Sequence, residues 1–209
     1  NKIVVKIKIL ANLNINQSDI SQDGRFRYES IFFQKRDCRT SICPGVFSEK
    51  IVIRLLDHKK NINNLSELFL NKKHEFYIRR CLEKPQGLIL ITGPTGSGKT
   101  QTLYTLINQL DQYKNNITTI ENPVEMIIPG IHQININPES SFLFFDALRA
   151  TLRQDPDIIL IGEIRDKKTA SLAIHAAQTG HLVFSTLHSN NTIDSITRLI
   201  NLGIEPFNL

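Results

Sequence analysis

"LILITGPTGSGKT", residues 88–100, decides how this chain is read. Gly93 to Thr100 fits the pattern G-x-x-x-x-G-K-[ST]. It follows an apolar run directly and opens "TQTLYTLINQL" (100–110), where apolar residues recur at helical spacing. The pattern needs that setting for a physical reason. Gly93, Gly96 and Gly98 free the backbone to wrap an anion in N–H groups, and a helix N-terminus stands behind them. Pro94, Thr95 and Ser97 complete the loop. Lys99 is placed to reach the β- and γ-phosphates, and the Thr100 hydroxyl to ligate magnesium. The stretch reads as a site for a nucleoside triphosphate.

Outward from this loop, apolar strand candidates recur at Leu88–Thr92, Ile117–Ile120, Ile158–Ile161 and Leu182–Thr186. Helical stretches with start and stop signals lie between them. Asp166 precedes "KKTASLAIHAAQT", which ends at Gly180, and Asn191 precedes "TIDSITRLINL", which ends at Gly203. "SSFLFFDALRATLRQ" (140–154) opens with serines suited to capping and runs to Pro156. Strand and helix in alternation predict an α/β domain over 68–209, a parallel sheet with helices on both faces.

The first 57 residues differ. Asp23-Gly24 and Pro44-Gly45 read as turns, alternation runs through Phe26 and Tyr28, and an apolar strand spans Ile51 to Leu55. These features predict a small α+β domain built on a mostly antiparallel sheet. "KIVVKIKIL" (2–10) fits either strand or helix. Residues 58–67 are polar and read as a linker.

The chain has 209 residues, 41% of them hydrophobic, enough for two domains with cores. It opens on Asn1 and Met126 is its one methionine, so we read it as an internal fragment. No apolar stretch approaches the roughly 20 residues that span a bilayer. Cys38, Cys43 and Cys81 show no C-x-x-C spacing and read as reduced thiols. Net charge is +5, and residues 1–57 carry ten Lys or Arg against six Asp or Glu. Such a basic segment meets nucleic acid, anionic lipid or nucleotide phosphates, or is simply a solvated face.

The remaining signals sit where strands end. Ligands of parallel sheets lie beyond the carboxyl ends of the strands. "DIILIGEIRD" (157–166) delivers Glu163 there, placed to orient magnesium's water or polarise the attacking water, or else to pair with Arg165. "ITTIENPVE" (117–125) sends Glu121 to the same rim with Glu125 four residues on, to hold magnesium or position water, unless these are ordinary acids after a strand. In "QTGHLVFSTLHSN" (178–190), seven residues separate His181 from His188, which argues against one shared metal. His188 lies just past a carboxyl end, a candidate γ-phosphate contact. His181 opens the strand at the far edge, in a structural or interfacial position.

Taken together, GPTGSGKT, TIENPVE, IILIGEIRD and TGHLVFSTLHSN resemble, in order, the phosphate loop, Asp box, Walker B strand and His box of the secretion ATPase family of type II secretion and type IV pilus assembly. "QDGR", "LRATLRQDPD" and "SITRLINLGIEPF" extend the likeness over nearly the whole chain. The resemblance implies a RecA-like P-loop NTPase domain behind the small one, binding ATP and Mg2+ and assembling as a hexamer. It implies that Glu163 and Thr100 serve the metal, and that both His181 and His188 belong to the nucleotide box. It also implies that arginines approach the nucleotide: Arg25 of "QDGR", Arg39 and Arg54 around the Pro44-Gly45 turn, and the pair Arg149 and Arg153. Each would neutralise charge on the γ-phosphate. The sequence departs from the family at Asn122 and Asn191, where Asp is usual, and at Ser141, where Gly is usual.

The function expected is an ATP-driven motor, cytoplasmic and peripheral to the inner membrane. It would work with an inner-membrane platform and cytoplasmic assembly proteins and make no direct contact with nucleic acid. Two alternatives stand beside it: a related motor for retraction, DNA uptake or conjugation, and a nucleotide-gated scaffold that hydrolyses weakly. The motor reading makes the linker a hinge. Shortening it is expected to leave ATP binding intact, measured by fluorescent-nucleotide titration, and to abolish assembly in cells. Normal assembly would count against the hinge.

Overall fold

The computed structural model describes residues 2–30, 33–56, 64–68, 71–136 and 143–209. The chain divides into two compact units, Asn1–Lys60 and Asn61–Leu209.

In the first unit, "KIVVKIKIL" is helix α1 (Lys2–Leu10), ahead of three strands: β1 (Gln22–Ser30), β2 (Phe33–Cys43) and β3 (Lys50–Leu56). They pair antiparallel in the order β1-β2-β3, with the Pro44-Gly45 turn joining the last two. Gln22, Cys38, Thr40 and Ile42 are buried on one face, and α1 contributes Val4 and Lys8 to the same core, with Ala11 just past its end. Lys8 is 1% exposed because its ammonium is fully partnered, pairing with Glu49 at 2.6 Å and donating to the Gln17 carbonyl at 2.6 Å. Asp23-Gly24 is not a turn. It lies inside β1, with Gly24 opposite Thr40. A Cβ at Gly24 would stand 2.9 Å from the Ala11 carbonyl oxygen and 3.0 Å from Leu13, so the glycine serves close approach of another backbone.

The second unit begins at Asn61 and so takes in part of the expected linker. Residues 58–63 lie outside the described residues, but α2 (Leu65–Leu68) packs its buried Leu65 into this unit's core. Helix α3 (Lys72–Leu82) follows, capped by Asn71, whose side chain accepts from the Lys73 N–H at 2.8 Å. The expected α/β architecture is present: five parallel strands in the order β4 (Gly87–Thr92), β8 (Leu182–Leu187), β7 (Ile158–Ile161), β5 (Ile117–Glu121) and β6 (His132–Asn135). Strand residues alternate between two cores. Ile159, Ile161, Val183 and Leu187 face α5 (Phe144–Thr151), α6 (Lys167–Gln178) and α7 (Thr192–Asn201). Ile158, Leu160, Leu182 and Phe184 face α2 and α4 (Lys99–Asn108). Caps stand where the sequence put them, with Asp166 accepting from the Thr169 N–H at 2.9 Å and Asn191 from the Asp194 N–H at 2.8 Å.

The helix expected over 140–154 is shorter: α5 begins at Phe144 and ends at Thr151, so Arg153 falls beyond it, while the expected capping serines, Ser140 and Ser141, lie outside the described residues. Strand β6 is polar and at the sheet edge, which hides it from a search for apolar runs.

The close approach at Gly24 predicts that Gly24→Ala lowers stability by about 1–3 kcal/mol, because the added methyl must displace backbone. Urea unfolding at unchanged slope measures it. A gain in stability, as strand propensity alone would give, would remove the packing argument.

Candidate functional site

The phosphate loop joins β4 to α4 and is shaped by φ angles of 151° at Gly93, 79° at Gly96 and 90° at Gly98, all in the region that favours glycine. At Gly93 a Cβ would also meet the Ser97 hydroxyl at 2.7 Å. The N–H groups of Lys99 and Thr100 open α4 and have no acceptor within the helix, which suits them to an anion. Lys99 turns its ammonium across the loop, donating to the Gly93 and Pro94 carbonyls at 2.8 Å each. Thr100, half-buried, follows it on the first turn. These residues fit a triphosphate. Among the described residues no group of three His, Cys, Asp or Glu could hold a metal unaided, so magnesium at Thr100 would draw its remaining oxygens from phosphates and water.

Beyond the end of β7, Glu163 is 14% exposed. One carboxylate oxygen accepts from Arg165 at 2.6 Å, and the other lies 3.5 Å from Nε2 of His188. Glu163 thus makes the pair with Arg165 that the sequence allowed, and it also faces the histidine past β8. Thr186 fixes the two strand ends together, donating to the Gly162 carbonyl at 2.6 Å while its own carbonyl accepts from the Ile164 N–H at 3.1 Å. His188 reaches the phosphate loop. With Gly93, Pro94 and Thr95 it lines an open cleft of about 480 Å³ whose other wall includes Asn190, Asp194 and Arg198. The sequence reading did not single out those three; their one signal was following His188 past the end of β8.

Glu121 is not an open rim carboxylate. It is 4% exposed, and its oxygens accept from Thr119 at 2.7 Å, from Gln133 at 3.3 Å and from the Tyr104 hydroxyl. Thr119 and Glu121 share the strand face that looks onto α4, which turns the carboxylate inward. Burial, with Glu121's charge second, pushes the Tyr104 phenol far above its ordinary range, so it stays protonated as the donor. Glu125 is exposed in the loop that leaves β5.

Three candidates lie away from the phosphate loop. His181 precedes β8 at its amino end, its Nδ1 3.0 Å from the Ala176 carbonyl. Helices between parallel strands run back along the sheet, so Arg149, in the last turn of α5, and Arg153 also stand at the amino-end rim. Arg153 donates to the Arg149 carbonyl at 3.0 Å and so caps the helix. Within one chain neither the pair nor His181 meets the phosphates.

In the first unit, Arg25, Arg39 and Arg54 form one row. Arg25 is opposite Arg39, and Arg39 opposite Arg54, on the exposed face of the sheet. Among the described residues none of the three has an ion pair. Like charges directly opposite on strands repel, so the row concentrates positive charge on one exposed face.

Comparison with known proteins identifies the family. The family described as "Type II/IV secretion system protein" matches residues 1–209, and the chain belongs to it. It is 45% identical over 208 residues to the type IV pilus assembly ATPase PilB of Acinetobacter baylyi, covering 100% of this chain and 36% of the relative. It is 43% identical over 205 residues to the type II secretion system ATPase E of Vibrio cholerae, covering 98% of this chain and 41% of the relative. The chain thus spans well under half of the length of these curated relatives. Among solved structures, the pilus retraction motor PilT with bound ADP is similar with a TM-score of 0.70 at 36% identity, covering 88% of this chain and 52% of that one. The Legionella pneumophila ATPase DotB gives 0.72 at 26% identity, covering 91% and 54%.

Repulsion along the arginine row makes a prediction. Arg39→Gln is expected to raise stability by about 0.5 kcal/mol at low salt, and the gain should shrink in 1 M salt as charge is screened. Denaturant unfolding at the two salt concentrations measures it. A loss of stability would mean that Arg39 is held by partners.

Proposed function

We propose that this member of the type II/IV secretion family binds ATP with magnesium and hydrolyses it as part of a ring, hexameric by the resemblance, that drives assembly of pilus-like subunits. The observation that carries the reading is the meeting of the phosphate loop, Glu163 and His188 on one rim. Lys99 and the loop amides would hold the β- and γ-phosphates. Glu163, held by Arg165 and His188 in a fixed direction, would orient and polarise the attacking water. Thr100, with Glu163 acting through water, would serve magnesium; bound magnesium supplies charge neutralisation across the β- and γ-phosphate oxygens. The arginine row would add cations from a neighbouring copy in the ring, and Arg149, Arg153 and His181, on the opposite rim, would serve contacts between copies.

Identity and coverage favour an assembly or secretion motor, since relatives named for pilus assembly and type II secretion match the chain nearly end to end. The likeness to a retraction motor keeps that branch as the second reading. Among the described residues no helix is long and apolar enough to cross a membrane. The proposed seat is the cytoplasmic side of the inner membrane, reached through the platform and cytoplasmic assembly proteins.

Steady-state ATP hydrolysis against protein concentration tests the reading, with Glu163→Gln as control. Activity per chain that rises with concentration, and falls by about 10²-fold or more in the variant, is expected of a shared-site ring. Turnover no higher than that of Glu163→Gln, with nucleotide still bound, would replace the motor by a scaffold.

A further inference from the structure

Tyr104 was singled out by no motif, yet it is where two candidate elements meet. It sits on α4, five residues after Lys99, about 7.5 Å along the helix axis. Its hydroxyl donates to Glu121 and accepts from the Glu125 N–H at 3.2 Å. One oxygen thus joins the phosphate-loop helix to both ends of the acidic segment 121–125. Both Tyr104 and Glu121 are buried, at 6% and 4% exposure, so the hydrogen bond between them has no water as a ready substitute. Gln133 braces the same segment from β6. Its amide donates to Glu121 at 3.3 Å and to the Met126 carbonyl at 3.0 Å, and its oxygen accepts from the Ile128 N–H at 2.7 Å.

We propose that Tyr104 is a positioning residue for ATP hydrolysis, acting through Glu121 to hold the Glu125 segment in fixed relation to the phosphate loop. The inference rests on the ATPase reading above and changes the part played by one residue. Glu121, with all its donors already in place, is the inner anchor of the network, and Glu125 is the carboxylate left exposed to solvent. The tie matters because Lys99 and Tyr104 ride on one rigid helix. Phosphates gripped at its first turn are thereby registered against the acidic loop, with no flexible link between.

The test is Tyr104→Phe in the full chain, which removes one oxygen and keeps the ring. Loss of a buried hydrogen bond to a charged group predicts a kcat lower by about tenfold to a hundredfold. The KM for ATP and the affinity for ADP should stay within about twofold, since the phosphate loop is untouched. Hydrogen exchange should quicken at the Glu125 amide. In a Glu121→Gln background the same substitution should cost less kcat than in the wild type, because the hydroxyl acts partly through that carboxylate and partly through its own hydrogen bond from the Glu125 N–H. If Tyr104→Phe does not fold, a fluorinated tyrosine at 104 keeps the shape while changing hydroxyl donor and acceptor strength, and a changed kcat at constant KM is expected there too. Unchanged kcat in the variant that folds overturns the proposal, as does a fall in kcat that tracks only lowered thermal stability. Wild-type turnover no higher than that of Glu163→Gln overturns the ATPase reading and this role with it, whereas Glu163-dependent turnover that Tyr104→Phe leaves intact overturns this role alone.

Discussion

Burial of the parallel sheet on both faces is the constraint on which the second unit depends. Strands covered by helices on either side offer no surface for polar chemistry except at their ends, and parallel direction puts every carboxyl end on one rim. The phosphate loop leaves β4 there, Glu163 leaves β7, and His188 leaves β8, which lies between them in the sheet. Strand order therefore does what sequence proximity cannot, bringing residues 93, 163 and 188 to a single edge. The same rule removes His181, Arg149 and Arg153, which stand at the amino-end rim, opposite the phosphate loop of their own chain.

The first unit makes the opposite compromise. Its core is small, with α1 laid over one side of three strands, and the other side carries Arg25, Arg39 and Arg54 in a row. Folding gains nothing from such a row. An unpaired cation opposite another on a strand is unfavourable, and exposure to water keeps the penalty tolerable. Were an anion to bind there, as proposed above, charge-assisted hydrogen bonds to it would offset the repulsion.

Much of this was legible in the sequence because buried parallel strands and capped helices write strong local signals. "IILI" and "LVFSTL" are near-continuous apolar runs, and Asp166, Asn191 and Gly203 bracket their helices as caps should. What escaped was set by tertiary contact. Gly24 looked like a turn and is instead the floor beneath Ala11. Strand β6 is recognisable only by pairing with β5, and α1 was undecided until its buried stripe was seen against the sheet. Arg25, Arg39 and Arg54 were each visible as candidates, but their alignment needed the strand register. Tyr104 carried no local signal; a tyrosine in an apolar helix reads as core until its hydroxyl is found between Glu121 and the Glu125 amide.

The network around Glu121 also gives a physical sense to Asn122. A buried carboxylate at 4% exposure needs donors in place of the water it has lost, and here Thr119, Gln133 and Tyr104 supply them. A second carboxylate on the adjacent residue would add like-charge repulsion at short range and compete for the same donors. Asn122 keeps the polarity of an Asp without that repulsion. Losing the family's acid at this position thus need not disable the site. It spares the inner anchor a like-charged neighbour, and the acids outside the network are Glu125 and Glu163, of which Glu163 is the one that His188 faces.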